Sequence, residues 1–329
     1  MLKFWIDNSR YNALPQSLLP AIVAIVFALP VAGFSWLYAL VAIFGVAMSH
    51  LSLNLFDDYF DYRNKGTAIR EKLDEGGIRA RLGKCYYLTS GKATMKQLFW
   101  AAAIFGLIAL LAGCFIFLKR GNVILYITLI TMLIGLSYSA PPLKLSYIGL
   151  GEPTIAVVFG VLLMSGVYYA SCGQLSNGIW FISVPVGLLV ANIVYSHAIM
   201  DYEHDKRAHK MTFAVLLRSR TAQLAVSALF MLCAYLVIVA GFLMGLLSWW
   251  YLLTLITLPL AVNLFYLLAM FVKHPEKTYR PRWWQQPMER WAQIKEAGID
   301  WFMIRWFLAR NIVTWFCLII ICISLFIKH

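Results

Sequence analysis

The sequence contains 329 residues, of which 61% are hydrophobic and 13% are charged, and its formal net charge is +13. A soluble domain is nearer one-quarter charged, so this composition excludes an ordinary soluble globular protein. Uninterrupted apolar runs of about 18 residues or more recur along the whole length, and each is long enough to span a bilayer. We therefore predict an all-α, polytopic membrane protein whose residues 1–329 form a single membrane-embedded domain.

The apolar runs predict nine transmembrane helices. No small-residue cleavage site follows the first run, so we interpret it as a helix of the protein and not as a removed signal peptide. In chain order, the predicted helices are residues 15–33, 36–57, 96–118, 122–139, 152–172, 179–200, 221–247, 249–272 and 308–327.

The basic residues predict the orientation of these helices. With a cytoplasmic N-terminus, every lysine and arginine except Lys119, Arg120 and Lys328 falls on the cytoplasmic side. Lysine and arginine favour cytoplasmic loops, so the positive charge indicates topology and not nucleic-acid binding. We expect an integral protein of the cell inner or plasma membrane, with its N-terminus and active site on the cytoplasmic side.

Two of the predicted cytoplasmic segments are long. Residues 62–95 carry mixed charge and glycines, which favours a cytoplasmic cap loop. Residues 273–307 combine five tryptophans with basic residues, which is typical of an amphipathic segment at the lipid headgroups. We expect the first segment to act as a lid and the second to anchor the protein at the interface.

Two acidic clusters follow the second and the sixth predicted helix, at matching positions four helices apart. The first contains Asp57, Asp58 and Asp61, and the second is the stretch DYEHD at 201–205. Acidic residues contribute little to the orientation rule, so topology alone does not place both clusters on the side of the bases. The spacing suggests an internal duplication of a four-helix unit.

Helical spacing brings the polar side chains of each cluster together. Positions 54, 57, 58 and 61 step by three and four residues and share one helix face, as do Asp201 and Asp205. Like charges this close repel one another, so a positive group must neutralise them. Oxygen-rich sites without His or Cys suit Mg²⁺, which prefers carboxylates together with substrate phosphates.

One acidic cluster alone is the pattern of an ordinary solvated helix end. Two clusters on the same side, each followed by bases such as Arg63 and Lys206, favour a functional site that binds substrate. Acidic metal sites with nearby bases are suited to a diphosphate, because the cations stabilise the charge that develops as it departs. For a protein embedded in the lipid bilayer, we expect a polyprenyl diphosphate whose tail lies in the membrane.

The motifs together resemble one family. The patterns N-x-x-D-D-x-x-D at 54–61 and D-Y-E-x-D at 201–205 resemble the two aspartate-rich motifs of the UbiA superfamily of intramembrane aromatic prenyltransferases. The stretch YSAPPLKLSYIGLGE at 138–152 is similar to the middle segment of that family. Residues 5–24 are similar to the start of its 1,4-dihydroxy-2-naphthoate polyprenyltransferases of menaquinone synthesis. The resemblance implies nine helices around a central cavity, with the acidic motifs facing each other beneath a cytoplasmic cap.

The resemblance also implies roles for individual residues. The residues that would hold Mg²⁺ and the diphosphate are Asn54, Asp58, Asp61, Asp201 and Asp205. The bases that would contact phosphate are Lys144, Lys206 and Lys210. Lys92 lies in a segment that resembles part of the family's cap loop, or that is a simple turn. Tyr138 either places its ring near the allylic cation or is an interfacial tyrosine.

Three positions depart from the family pattern. Asp57 stands where the naphthoate enzymes usually have a second asparagine, and His209 replaces the glycine expected before Lys210. His197 replaces the first residue of an expected Asn-Asn-x-Arg. These positions lie where the acceptor or the diphosphate should bind, so Asp57 and His197 are candidate substrate contacts. A histidine near a helix end is also a common packing residue.

The resemblance implies a prenyltransferase that moves a polyprenyl group to an aromatic acceptor, with Mg²⁺ as cofactor and 1,4-dihydroxy-2-naphthoate as the favoured acceptor. A first alternative is a related enzyme with a different acceptor, such as 4-hydroxybenzoate, a tetrapyrrole or a glycerol phosphate lipid. A second alternative, from another class, is a transporter that uses intramembrane carboxylates. Transport sites usually lie near the membrane midplane, whereas these carboxylates cluster at one end.

Overall fold

The computed structural model describes residues 2–75, 85–207, 209–275 and 277–326, and of residues 64–75 it describes the backbone alone. The long helices are α1 Pro15–Ala28, α2 Trp36–Glu75, α3 Met95–Arg120, α4 Asn122–Ser137, α5 Gly151–Cys172, α6 Gly178–Met200, α7 Arg220–Leu243, α8 Trp249–Lys273 and α9 Asp300–Phe326. Apart from one isolated bridge between Ile148 and Met211, the regular structure of the described residues is helical, which confirms the all-α prediction.

The predicted membrane helices are all present. In the part of the chain that the structure describes, eight helical segments are long and apolar enough to cross a membrane, and α4 is a shorter apolar helix of 16 residues. The helix α8 opens with a 3-10 segment, Trp249–Thr257, and α5 contains a π-helical turn, Val157–Leu162. The prediction of a polytopic helical membrane protein is therefore confirmed.

The helix α2 is longer than predicted. It continues without a break to Glu75, whereas the sequence predicts an end at residue 57. Only Trp36–Arg63 is apolar enough to count as a candidate membrane span, and the helix then runs on through residues rich in the helix formers Arg, Lys and Glu. The first acidic motif therefore lies inside a continuous helix and not after its end.

The predicted cap loop at 62–95 divides between several features. Its first part belongs to α2, residues 76–84 lie outside the described residues, and a short helix, Tyr86–Thr89, follows. This short helix packs against the N-terminal helix Leu2–Asn8, where the ring of Tyr87 meets the ring of Trp5 edge-on at 5.9 Å between centroids. The existence of a cap over the cavity stays a prediction.

The helix α9 begins at Asp300, earlier than the predicted residue 308. The sequence prediction is misled by Arg305, which interrupts the apolar run but is fully buried. Its Nε donates to the carbonyl oxygen of Leu267 at 2.8 Å, and its guanidinium lies 5.1 Å from the ring centre of Phe271. A neighbouring helix thus supplies one hydrogen-bond acceptor and an aromatic face to the charged group.

The segment between α8 and α9 contains two short helices, Trp283–Gln285 and Trp291–Glu296, and not one long amphipathic helix. It is folded against α9, where the Asn311 amide donates to the carbonyl oxygens of Gln285 at 2.8 Å and Pro287 at 2.9 Å. The predicted interfacial segment 273–307 therefore overlaps α9 at its end. Its position at the lipid headgroups stays a prediction.

The helices α5 and α6 cross at very close range. A Cβ atom added to Gly160 would lie 2.5 Å from the carbonyl oxygen of Ser183, and one added to Gly187 would lie 2.3 Å from that of Ala156. Real Cβ atoms do not approach so closely, so only glycine fits at either position. This backbone contact fixes α5 against α6, which ends at the second acidic motif.

Candidate active site

A cavity of about 1340 Å³ lies among α1 to α6. Its wall is mostly apolar, and its polar side chains include members of both acidic motifs. The predicted site residues that line it are Asn54, Asp57, Asp58, Asp61, Tyr138, His197, Asp205 and Lys210. Members of both acidic motifs thus face one cavity, as the resemblance implies.

The first motif occupies one face of α2, as its helical spacing predicts. Asp58 and Asp61 are almost fully buried, with 2% and 6% of their surfaces exposed. The Tyr87 hydroxyl donates to Asp58 Oδ2 at 3.1 Å, and the Tyr147 hydroxyl donates to Asp61. Both carboxylates are therefore held in place by neutral donors from outside α2.

Arg10 provides the first motif with a positive partner. Its guanidinium donates to Asp57 Oδ2 at 2.9 Å and also to Asp58, and lies 3.5 Å from Asn54 Oδ1. Burial lowers the pKa of Arg10, but the Asp58 and Asp57 carboxylates outweigh burial and raise it well above its usual value. Part of the repulsion within the motif is therefore cancelled by the protein itself.

Arg10 belongs to no motif that the sequence reveals. It precedes α1 and looks like one of many cytoplasmic bases, and its pairing with a motif more than 40 residues away is a tertiary contact. Arg10 also has a positive φ of 57°, a left-handed conformation that is uncommon outside glycine. That backbone turn lies immediately before the 3-10 turn Tyr11–Ala13 that leads into α1.

The second motif lies where α6 ends and the short helix Tyr202–Arg207 begins. Asp201 and Asp205 are buried, with 0% and 2% exposed, and the Asp205 amide donates to the Asp201 carbonyl at 2.8 Å. The two residues are thus one helical turn apart, as predicted. Asp205 lines the cavity, whereas Asp201 does not contribute to its wall.

A tight turn after the second motif returns the chain to the cavity. The Lys210 amide donates to the Asp205 carbonyl at 2.9 Å, and Lys210 lines the cavity. His209 has a φ of 51°, which lies in the left-handed region that favours glycine. The glycine expected from the family pattern is therefore explained by the backbone, and histidine is among the residues that tolerate this conformation.

The other predicted bases do not line the cavity. Arg63, Lys92 and Lys206 are exposed, and Lys144 is partly buried. The ammonium of Lys92 lies 5.3 Å from the ring centre of Tyr86. Contacts between these four bases and a phosphate therefore stay predictions.

Two further predicted residues, which belong to neither acidic motif, line the cavity. Tyr138 directly follows α4, in the segment that leads to α5. His197 packs edge-on against Phe302 with 4.9 Å between ring centroids, and lies 6.0 Å from the ring of Trp306. These ring contacts agree with a packing role for His197. Because His197 also lines the cavity, its contact with a substrate stays a prediction.

Glu152 also lines the cavity, from the first turn of α5, and is only 2% exposed. It belongs to the segment 138–152 that resembles the family, but no pattern in the sequence assigns it a role. A glutamate this deeply buried is rare unless its charge is compensated. Its position at the start of a helix, where the backbone amides favour negative charge, is one signal that could have identified it.

The chemistry of the donor set suits a hard cation. Among the described residues, no three His, Cys, Asp or Glu side chains form a cluster that holds a metal by itself. Magnesium, however, usually binds through one or two carboxylates and completes its shell with water and substrate phosphates. Asp58, Asp61 and Asp205 supply buried carboxylates on the wall of one cavity, so the residues fit a magnesium ion shared with a diphosphate.

Known proteins resemble the chain in sequence and in fold. It is 27% identical over 255 residues to the 1,4-dihydroxy-2-naphthoate octaprenyltransferase of Bacillus subtilis (strain 168), a match that covers 78% of each chain. Its structure superposes on a UbiA homolog from Archaeoglobus fulgidus bound to GPP and Mg²⁺ with a TM-score of 0.59, at 16% identity, over 96% of this chain and 99% of that one. A digeranylgeranylglyceryl phosphate synthase gives a TM-score of 0.61 at 18% identity over 99% of both chains.

The UbiA prenyltransferase family matches residues 17–291. This range contains both acidic motifs, the whole of helices α2 to α8 and most of α1. The apolar helices, the shared cavity and the superposed structures agree with this match. The protein is therefore a prenyltransferase of the membrane and belongs to the UbiA prenyltransferase family.

Proposed function

We propose that the protein transfers a polyprenyl group from its diphosphate to a ring carbon of 1,4-dihydroxy-2-naphthoate, in a reaction that requires Mg²⁺. One observation carries the proposal. Buried aspartates of two separate motifs line the same long and mostly apolar cavity. Such a cavity suits a substrate with an anionic head and a greasy tail.

The polar end of the cavity would bind the diphosphate. Asp58, Asp61 and Asp205 would hold Mg²⁺, which neutralises phosphate charge and so makes the diphosphate a better leaving group. Arg10 and Lys210 line the same cavity and would add hydrogen bonds and positive charge. Asn54 and Asp201 would support this arrangement from the helices that carry the two motifs.

The apolar part of the cavity would hold the polyprenyl tail. On α2 the wall extends from Val41 to Asp61, a length of about 30 Å at 1.5 Å per residue. On α3 it extends from Ala103 to Ile116. A cavity of this length, which follows the helices through the membrane, suits a chain of several isoprene units.

The reaction would break the bond between the allylic carbon and the diphosphate oxygen, and the diphosphate would take the electron pair. Arg10 and Lys210 would stabilise that developing negative charge. The face of the Tyr138 ring would stabilise the allylic cation. The aromatic ring carbon then attacks the cation, and the new carbon–carbon bond forms as the ring loses its carboxylate as CO₂.

The naphthoate acceptor is proposed because of the Bacillus subtilis relative, which is named for that acceptor and matches most of the chain. The departures at Asp57 and His197 keep a different aromatic acceptor, or a glycerol phosphate lipid, as the competing possibility. The distribution of lysine and arginine supports the proposed orientation, in which the N-terminus and the polar end of the cavity lie at the cytoplasmic face.

Mass spectrometry of reaction products tests the proposal. Purified protein in lipid or detergent would be incubated with Mg²⁺, a polyprenyl diphosphate and a panel of acceptors that includes 1,4-dihydroxy-2-naphthoate, 4-hydroxybenzoate and a glycerol phosphate. We expect a prenylated, decarboxylated naphthoquinol. Product only with another acceptor would refute the naphthoate assignment. Ion flux in liposomes without any product would favour a transporter.

Variants connect this activity to the site. Asp58→Asn and Asp205→Asn should each lower the rate about 100-fold or more, because each removes a carboxylate that would hold the Mg²⁺ at the diphosphate. Glu203→Gln is the matched control, since Glu203 belongs to the second motif but is exposed and pairs with Arg220 at 3.4 Å. Unchanged rates in both aspartate variants would refute the assignment of the acidic motifs.

A further inference from the structure

A small polar group lies within the cavity on the side of α1. Ser17 on α1 and His50 on α2 are buried, with 1% and 9% exposed, and both line the cavity. The Ser17 hydroxyl and His50 Nδ1 are joined by a hydrogen bond. The neighbouring Gln16 also lines the cavity. The proposed transfer mechanism does not use these three residues.

The position of His50 relates it to the acidic motif. It precedes Asn54 by four residues and Asp58 by eight on α2, so it lies on the same helix face, about 6 Å and 12 Å further along the axis. The ring of Phe159 on α5 meets the His50 ring edge-on at 6.2 Å between centroids. The pair therefore lies beyond the proposed diphosphate position, at the depth where the allylic carbon and an acceptor ring would meet.

The available hydrogen-bond partners indicate which residue is the donor in the Ser17–His50 bond. Within the described residues the Ser17 hydroxyl bonds to His50 alone, so its proton is best placed in the bond to Nδ1. The ring proton of neutral His50 then resides on Nε2, which is buried and has no hydrogen-bond partner among the described residues. Gln16 Oε1 is likewise buried without a partner in that part of the chain. The cavity wall thus contains one unsatisfied donor and one unsatisfied acceptor.

We propose that His50 and Gln16 bind a phenolic hydroxyl of the aromatic acceptor, an inference that rests on the proposed function. The hydroxyl oxygen accepts from His50 Nε2–H, and its proton is donated to Gln16 Oε1. A phenol provides both a donor and an acceptor, whereas a carboxylate or a phosphate provides acceptors only and would leave Gln16 Oε1 unsatisfied. Ser17 is a positioning residue that fixes the ring and tautomer of His50.

This arrangement also explains how an acceptor ring is oriented. A hydroxyl fixed at His50 sets the ring plane relative to α2, and therefore the side from which the neighbouring ring carbon meets the allylic carbon. A hydrogen bond donated by the hydroxyl raises the electron density of the ring and favours attack on a cation. The subsite thus selects acceptors that carry a hydroxyl and positions them for the transfer.

Acceptor analogues test the subsite directly. Binding of 1,4-dihydroxy-2-naphthoate, 1-hydroxy-2-naphthoate and 4-hydroxy-2-naphthoate would be measured by tryptophan fluorescence, with Trp306 in the cavity wall as a reporter and no prenyl diphosphate present. In the wild type, loss of one of the two hydroxyls should weaken binding about tenfold. In His50→Phe and in Gln16→Leu, the ratio of the Kd of a one-hydroxyl analogue to the Kd of 1,4-dihydroxy-2-naphthoate should fall towards one. The apparent KM for the prenyl diphosphate should change less than about twofold.

Controls separate this role from a structural one. Ser52→Ala removes a hydroxyl from the same helix whose partner is the Ala102 carbonyl, and it should keep the hydroxyl preference. His50→Gln retains a donor and should recover part of the preference if His50→Phe proves unstable. An unchanged preference in both His50→Phe and Gln16→Leu would overturn the subsite. Failure of the wild type to form any prenylated product would instead refute the proposed function, and the binding ratios would still decide the subsite.

Discussion

Arg10 donates a hydrogen bond to Asp57 across 2.9 Å and so ties the N-terminal segment to the middle of α2. The carboxylate that departs from the family pattern is therefore paired with a cation that precedes the first membrane helix. Arg10 also donates to Asp58, so the two carboxylates share one cation. They differ in their second partner, which is the Ser139 hydroxyl for Asp57 and the Tyr87 hydroxyl for Asp58.

The Arg10–Asp57 pair predicts a coupling that a double-mutant cycle can measure. Arg10→Ala and Asp57→Asn should each lower kcat/KM, and the double variant should lose less than the sum by about 0.5–3 kcal/mol, because the two side chains act together. Arg10→Lys should restore only part of the activity, since lysine lacks the planar fork that reaches two carboxylates. Strictly additive losses would show that the pair makes no contribution to the reaction.

The length of the cavity predicts how donor length is selected. Gly113 on α3 lines its apolar part, so Gly113→Phe should place a ring there and lower kcat/KM for long polyprenyl diphosphates at least about tenfold, with less effect on short ones. Gly113→Ala is the matched control. A Cβ at this position would meet Thr128 at 3.6 Å, an ordinary contact. Equal losses for donors of all lengths would place the tail elsewhere.

Metal removal is the third test. Excess EDTA should abolish product formation, and added Mg²⁺ should restore it, because carboxylates and phosphates are the ligands that this ion prefers. Asp205→Asn should raise the Mg²⁺ concentration needed for half-maximal rate about tenfold or more. Glu203→Gln, from the same motif but exposed, should leave that concentration unchanged. Full activity in EDTA would refute the magnesium requirement.

The hydrogen bond from Tyr87 to Asp58 predicts a change in alkaline stability. Burial, and then the Asp58 carboxylate, raises the pKa of Tyr87, whereas an unfolded tyrosine ionises near its ordinary value of 10.0. The folded state therefore holds this proton more tightly. Its contribution to the free energy of unfolding is complete below about pH 10 and is lost as the pH rises further.

Thermal melting across this pH range tests the contribution. Tyr87→Phe should lower the free energy of unfolding by about 1 kcal/mol at neutral pH, since it removes one buried hydrogen bond. Above pH 10 its melting temperature should fall less steeply than that of the wild type. Tyr86→Phe is the control, because Tyr86 is the exposed neighbour of Tyr87. Identical alkaline profiles for Tyr87→Phe and the wild type would contradict the prediction.

Apolar run length was sufficient to predict the helices, because a membrane span needs a nearly continuous apolar stretch. Helical spacing was sufficient to group the first motif on one face. The end of α2 was missed because a helix can leave the lipid and continue in water with polar helix formers. The start of α9 was missed because the buried Arg305 donates to the Leu267 carbonyl, a partner that only the folded chain supplies.

The contacts that shape the site are tertiary, and this limits what sequence reasoning can find. Arg10 and His50 lie far along the chain from the residues they pair with or face, and neither belongs to a motif. The cavity wall also contains Asp205 and Lys210 but not Lys144 or Lys206, although all four were assigned to the substrate by the same resemblance. Residue type and family pattern did not distinguish the bases that reach the cavity from those that do not.

The unbroken course of α2 through the first motif has a consequence for the catalytic cycle. A continuous helix has no hinge, so Asn54, Asp58 and Asp61 keep a spacing fixed by the helical pitch of 5.4 Å whether or not substrate is bound. The second motif lies instead on a six-residue helix followed by a turn. We therefore expect the backbone to adjust to a diphosphate around Asp205 and Lys210 and around Arg10, and not along α2.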